Sequence, residues 1–116
     1  MQNDCDDKIF TKVEHIAYLN VSTSDFEDTL ISFLKLKKAI REGDKIKFKF
    51  IVTTHSQIFD ISKEYGEIKK EEIVKEALLK FSSFWKPAIQ NGHNVCSYVR
   101  LEISFQDKRL LIDITQ

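Results

Sequence analysis

The stretch Trp85-Lys86-Pro87-Ala88-Ile89-Gln90-Asn91-Gly92-His93-Asn94-Val95-Cys96-Ser97-Tyr98-Val99-Arg100-Leu101-Glu102-Ile103-Ser104-Phe105 decides the fold. It holds the chain's single Trp and single Pro. Pro87 disfavours the α conformation at Lys86, so a helix arriving through Leu78 and Phe81 should end near Trp85. Asn91-Gly92 tolerates positive φ at both positions and reads as a turn. From Val95 to Phe105 the pattern alternates. Val95, Ser97, Val99, Leu101, Ile103 and Phe105 share one face, and Cys96, Tyr98, Arg100, Glu102 and Ser104 share the other. A helix, a stop, a turn and a long strand follow one another directly.

Upstream, Lys69 to Phe81 carries the strongest helical pattern. Val74, Ala77, Leu78, Phe81, Phe84 and Trp85 form one apolar stripe, and the opposite face pairs Glu71 with Lys75 and Glu76 with Lys80 at i,i+4. The segment Tyr65-Gly66-Glu67 should break the strand before it. Ile46, Phe48, Phe50 and Val52 alternate with Lys47 and Lys49, as in a strand with one buried and one wet face. Ile58 to Ser62 returns across a polar connection that holds His55, so the pair reads as a β-hairpin. Earlier, Ser24 and Glu27 form a capping-box pattern ahead of Phe26, Leu30, Phe33 and Leu34. Gly43 is expected to end that helix, and Lys35, Lys37, Lys38 and Arg41 read as a solvated face suited to the helix dipole. Residues 8–19 read as an extended arm over the core, and residues 1–7 as a flexible acidic tail. Downstream, Gln106 to Arg109 is a polar turn and Leu110 to Ile114 a last strand.

The order arm, helix, strand, strand, helix, strand, strand makes an α+β class domain. Its expected form is two-layer: a small antiparallel sheet of three to four strands with two helices packed on one face. A single domain should span residues 8–116. Eighteen basic and eighteen acidic residues cancel, which argues against a nucleic-acid partner. No apolar run reaches the roughly 20 residues needed to span a bilayer. The polar amino terminus is no signal peptide, which fits a cytosolic chain or a mature form without its leader or anchor. Cys5 and Cys96 read as two free thiols, since nothing in their spacing favours a bond between them. His15, His55 and His93 lie on an arm and in turns without metal-ligand spacing. His93 and Cys96 lack an orienting group for nucleophilic chemistry. With three glycines there is no phosphate-cradling loop. The expectation is a non-enzymatic protein with no catalytic residue, no metal and no cofactor.

From Ala77 to Phe105 the chain resembles the C-terminal domain of TonB proteins, in the form seen in Bacteroidetes-type sequences. The likeness rests on Glu76-Ala77-Leu78, the block Trp85-Lys86-Pro87-Ala88, the turn Gln90-Asn91-Gly92, and the strand ending Ile103-Ser104-Phe105. It extends to Gly43 through Val52, Gln57 through Ile61, and the first helix through Leu30 and Leu34. The sequence departs from the family at Ser24-Asp25, around His55-Ser56, and at Glu102. The resemblance implies a protein-interaction domain of the cell envelope or periplasm. Such a domain takes a peptide segment of a TonB-dependent outer-membrane transporter as an added strand. It implies Trp85, Pro87 and Gly92 as structural positions. It implies Gln90, Asn91, Tyr98, Arg100 and Glu102 as residues bordering the partner strand, along the edge of residues 95–105. The alternative is a stand-alone periplasmic or secreted adaptor or immunity-type inhibitor that reuses the fold. An open edge can also pair with a second copy. Residues 109–114 would block transporter binding if they paired on that edge.

Overall fold

The computed structural model describes Cys5 and residues 8–116. In chain order the elements are β1 (Tyr18–Leu19), α1 (Thr23–Leu36), β2 (Lys45–Val52), β3 (Ile58–Glu67) and α2 (Glu71–Lys80). A 3-10 turn (Ser82–Phe84) leads to β4 (Trp85–Lys86), β5 (Ala88–Gln90), β6 (His93–Val95), β7 (Ser97–Gln106) and β8 (Arg109–Thr115). Strands β3-β2-β7-β8 form one antiparallel sheet in that spatial order. The alternation of β2 and β7 explains the layering. Ile46, Phe48, Phe50 and Val52 of β2 and Val99, Leu101 and Ile103 of β7 join one core with Phe26, Leu30 and Leu34 of α1 and Val74, Ala77 and Leu78 of α2. Both helices therefore cover one face, giving a two-layer α+β domain. Trp85 ties the layers together. It is fully buried and meets Phe50 edge-on at 5.4 Å and Phe26 at 6.1 Å between ring centroids. Such pairs add about 0.5–1.5 kcal/mol each beyond their burial.

Several local expectations need correction. Ser22, not Ser24, caps α1: its hydroxyl accepts the Asp25 N–H at 3.0 Å. Glu27 instead accepts a hydrogen bond from the Ile112 N–H of the neighbouring strand β8 at 3.0 Å. The helix ends at Leu36, well before Gly43. Lys38 adopts φ 54°, and the amides of Lys38 and Ala39 donate to the carbonyls of Lys35 and Leu34 at 3.0 and 2.8 Å. This Schellman closure shields the last carbonyls without a glycine. Tyr65-Gly66-Glu67 does not break β3. Gly66 at φ +97° lets the strand continue, because a Cβ there would sit 2.2 Å from the Lys45 carbonyl oxygen. Residues 95–105 are two strands rather than one. β6 pairs with β5 across the Asn91-Gly92 turn, where φ is 52° and 76°, and β7 joins the main sheet after a break at Cys96. Both residues at positive φ mark a type I′ hairpin turn.

The two cysteines are not free thiols. Cys5 and Cys96 are bonded to one another across a sequence separation of 91. Spacing alone did not favour this, but the arm brings the ends together. Residues 15–19 run antiparallel along 85–89, through the His15–Ile89 bridge and the Tyr18–Lys86 and Leu19–Trp85 pairs. Phe10 then bridges Ser97. Cys5 is buried with Ile51 and Cys96, so the chain is anchored there. The remainder of the expected tail, residues 1–4 and 6–7, lies outside the described residues.

Closing a loop of this length should contribute about 2–4 kcal/mol. Cys96→Ser, or reduction of the wild type, should therefore lower Tm by roughly 10 °C in a calorimetric scan. Two backbone substitutions should move stability in opposite directions in urea titrations. Lys38→Gly should gain about 0.5–1 kcal/mol by relieving a left-handed residue. Gly66→Ala should lose about 2–4 kcal/mol through positive φ and the collision with Lys45.

Candidate interaction surfaces

The TonB resemblance places a partner strand on the edge along residues 95–105 unless residues 109–114 pair there; they do, and that edge is closed. On one side β7 pairs with β2 from Ser97 to Ser104. On the other it pairs with β8 from Arg100 to Gln106. Where β8 stops, the arm takes over. The Phe10 N–H donates to the Cys96 carbonyl at 2.9 Å, and the Tyr98 N–H donates to the Phe10 carbonyl at 3.1 Å. The local sequence dictates this arrangement. Asp107 and Lys108 adopt φ 53° and 62°, so the chain reverses in two residues and β8 must lie directly against β7.

The residues expected to border a partner strand fall into two groups. Tyr98, Arg100 and Glu102 line one row on the sheet face away from the helices. Tyr98 lies beneath the Lys49 ammonium, 4.3 Å from the ring centroid, and packs beside Cys5, Ile51 and Cys96. The Arg100 Nε donates to both carboxylate oxygens of Glu64 at 3.0 and 3.1 Å, and its Nη1 donates to the Gln116 carbonyl at 2.8 Å. Glu102 pairs with Lys45 at 3.8 Å. Gln90 and Asn91 sit apart, in the β5–β6 hairpin. The Gln90 Oε1 accepts the Glu14 N–H at 3.0 Å, and the Asn91 N–H donates to the Glu14 carboxylate at 3.0 Å. They hold the arm. Trp85, Pro87 and Gly92 occupy the core, the junction between β4 and β5, and the hairpin turn at φ +76°.

The sheet's true edges are β3 and β8. β3 carries two register shifts against β2, opposite Lys47/Phe48 and Lys49/Ile51, and Asp60 stands at φ 59°. Bulges and charges of this kind discourage regular strand pairing. Beside that edge lies a groove of about 540 Å³, bounded by Ile58, Phe59, Asp60 and Ile61 of β3 and by Glu72, Lys75, Glu76 and Leu79 of α2. Its walls are apolar and its rim is acidic. Leu79 is 50% exposed. The Lys75 ammonium is engaged by Glu71 at 3.4 Å and Glu72 at 3.6 Å. Lys80, expected to pair with Glu76, lies over the Phe33 ring at 5.6 Å instead. Among the described residues Glu76 makes no ion pair.

Sequence reading missed this groove. Its one signal was Leu79, an apolar residue off the buried stripe of α2. Strand β3 and helix α2 are also clasped at the end beyond Glu67. Lys63 reaches Glu71 at 3.2 Å and Glu67 at 3.4 Å. Partial burial raises the Glu71 carboxyl, but hydrogen bonds and charge from Lys63 and then Lys75 outweigh it and hold the group below the ordinary glutamate range. Hydrogen bonds to Glu71 and then Glu67 raise the Lys63 ammonium.

Among the described residues no group of three or more His, Cys, Asp or Glu is placed to hold a metal ion. Cys96 has no thiol to act with His93, since it is bonded to Cys5. No described helix is long and apolar enough to cross a membrane. No family model, curated protein or solved structure matches this chain.

The depressed Glu71 carboxyl gives a signed prediction. Its stabilising contribution is present above the ordinary glutamate pKa and is lost as pH falls through the lower folded value. Glu71→Gln should therefore unfold at lower urea than wild type at neutral pH. The two urea midpoints should converge as pH falls through the acid range.

Proposed function

We propose that this chain is a non-enzymatic protein-interaction domain of an oxidising compartment, the periplasm, cell envelope or exterior. In this reading it acts as an adaptor or immunity-type inhibitor and holds an extended cationic and apolar segment of a partner protein in the groove between β3 and α2. The observation that carries the reading is the pairing of β7 on both sides. Strand addition of the kind implied by the TonB resemblance has no edge to use at residues 95–105. The groove remains as a concave surface with apolar walls. Asp60, Glu72 and Glu76 on its rim outnumber Lys75, so charge complementarity selects a basic partner segment. The Cys5–Cys96 bond supports the compartment, because structural disulfides persist where thiols are not kept reduced. The zero net charge supports a protein partner over nucleic acid.

The test is a titration of isotope-labelled chain with three peptides. One alternates lysine with leucine, one replaces the lysines with glutamate, and one is a transporter amino-terminal segment. The lysine peptide is expected to shift Ile58, Ile61 and Leu79, and the other two are not. Reversing Glu72 and Glu76 to lysine should weaken that binding about tenfold, or about 1.4 kcal/mol. Shifts from the transporter segment running along 97–105, or no response at the groove, would overturn the reading.

A further inference from the structure

The second edge of the sheet, β8, is closed in a different way. The two-residue Asp107-Lys108 turn makes Gln106 and Arg109 a hydrogen-bonded pair. The alternation then directs the backbone groups of Arg109, Leu111, Asp113 and Thr115 to β7. Those of Leu110, Ile112 and Ile114 point outward. This outward edge is regular. Among the described residues it has no register shift, and its seven residues contain no proline. Strands of that kind pair readily with another chain. At its centre, however, the Ile112 N–H donates to the Glu27 carboxylate of α1 at 3.0 Å. Glu27 comes from 85 residues away to occupy the middle outward amide.

The same edge is self-complementary. An antiparallel second copy with its two-fold axis at Ile112 would set Ile112 opposite its own copy and Leu110 opposite Ile114. All three side chains belong to the core face, so the apolar layer would continue across the junction. Arg109 would lie diagonal to Asp113 of the copy. The cleft between α1 and β8 is lined by Asp28, Ile31 and Lys35. An interface built from one patch used twice is the usual form of a closed dimer.

We propose that β8 together with α1 is a latent homodimer surface for a second copy of this chain. The Glu27 carboxylate gates it by holding the Ile112 amide that self-pairing requires. With Glu27 in place the chain is a monomer. Without an acceptor oxygen at that position the edge opens and two four-stranded sheets join through β8.

Sedimentation equilibrium across the micromolar range tests this on the full, disulfide-bonded chain. Wild type should sediment as a monomer and Glu27→Ala as a dimer. Glu27→Gln keeps an acceptor and should stay monomeric. Adding Ile112→Pro to Glu27→Ala should restore the monomer, because it deletes an outward donor that β7 does not use. A natively folded Glu27→Ala chain that stays monomeric overturns the proposal, and so does a dimer indifferent to Ile112→Pro. Should Glu27→Ala fail to fold, amide exchange in wild type decides the matter. Ile112 should exchange at least tenfold more slowly than Leu110 and Ile114. Equal rates at the three positions contradict the gate.

Discussion

Strand β7 is hydrogen-bonded along both sides, and the other elements take their places from that fact. Its inward row, Ser97 to Phe105, can face the helices only if β2 holds the opposite register, from Val52 back to Lys45. Its outer side must be satisfied as well, because buried amides and carbonyls left unpaired cost more than a typical bond contributes. β8 supplies partners from Arg100 onward, and Phe10 supplies them at Cys96 and Tyr98. The central strand is sealed by three different parts of the chain, so any partner must use the periphery.

The arm illustrates how a weak local pattern becomes fixed. Residues 8–19 alternate poorly and bury few large side chains of their own. Ala17 is fully buried, Val13 and Leu19 pack against the main core, and Ile9 packs beside the cysteines. Apart from the Val13 N–H, which donates to the Gln116 side chain, their hydrogen bonds are spread along 85–98, and each contributes on the order of 1 kcal/mol. The Glu14 clasp to Gln90 and Asn91 orders the middle of the segment. The Cys5–Cys96 bond closes its far end. Two residues that the TonB resemblance placed against a foreign strand thus serve the chain's own amino-terminal segment.

The architecture was legible because it rests on periodicity. The alternation of 46–52 and 95–105, the stripe Val74-Ala77-Leu78 and the Asn91-Gly92 turn are each set by local side chains, and together they imply the layers. What was not legible depends on contacts distant in sequence or on backbone freedom. The disulfide joins residues whose proximity follows only from the arm's path. Ser22 displaces Ser24 as the cap because cap geometry depends on where the chain enters the helix. Lys38 ends α1 in a conformation usually given to glycine, and Gly66 sustains a strand that its identity seemed to interrupt. Whether residues 95–105 present a free edge was not legible for the same reason. Tyr98, Arg100 and Glu102 do share a face, but sheet order decides whether the strand beneath them has an edge. The groove is built from two elements whose facing residues no local pattern connects.

β7 has no open side. Amide hydrogen exchange along residues 98–106 tests it most directly, because Val99, Leu101 and Ile103 donate toward β2 while Arg100, Glu102, Ser104 and Gln106 donate toward β8 and Tyr98 toward the arm. Comparable protection is expected at adjacent positions of both sets through the middle of the strand. Slow exchange at Val99, Leu101 and Ile103 alternating with fast exchange at Tyr98, Arg100, Glu102 and Ser104 would show an open edge and contradict it.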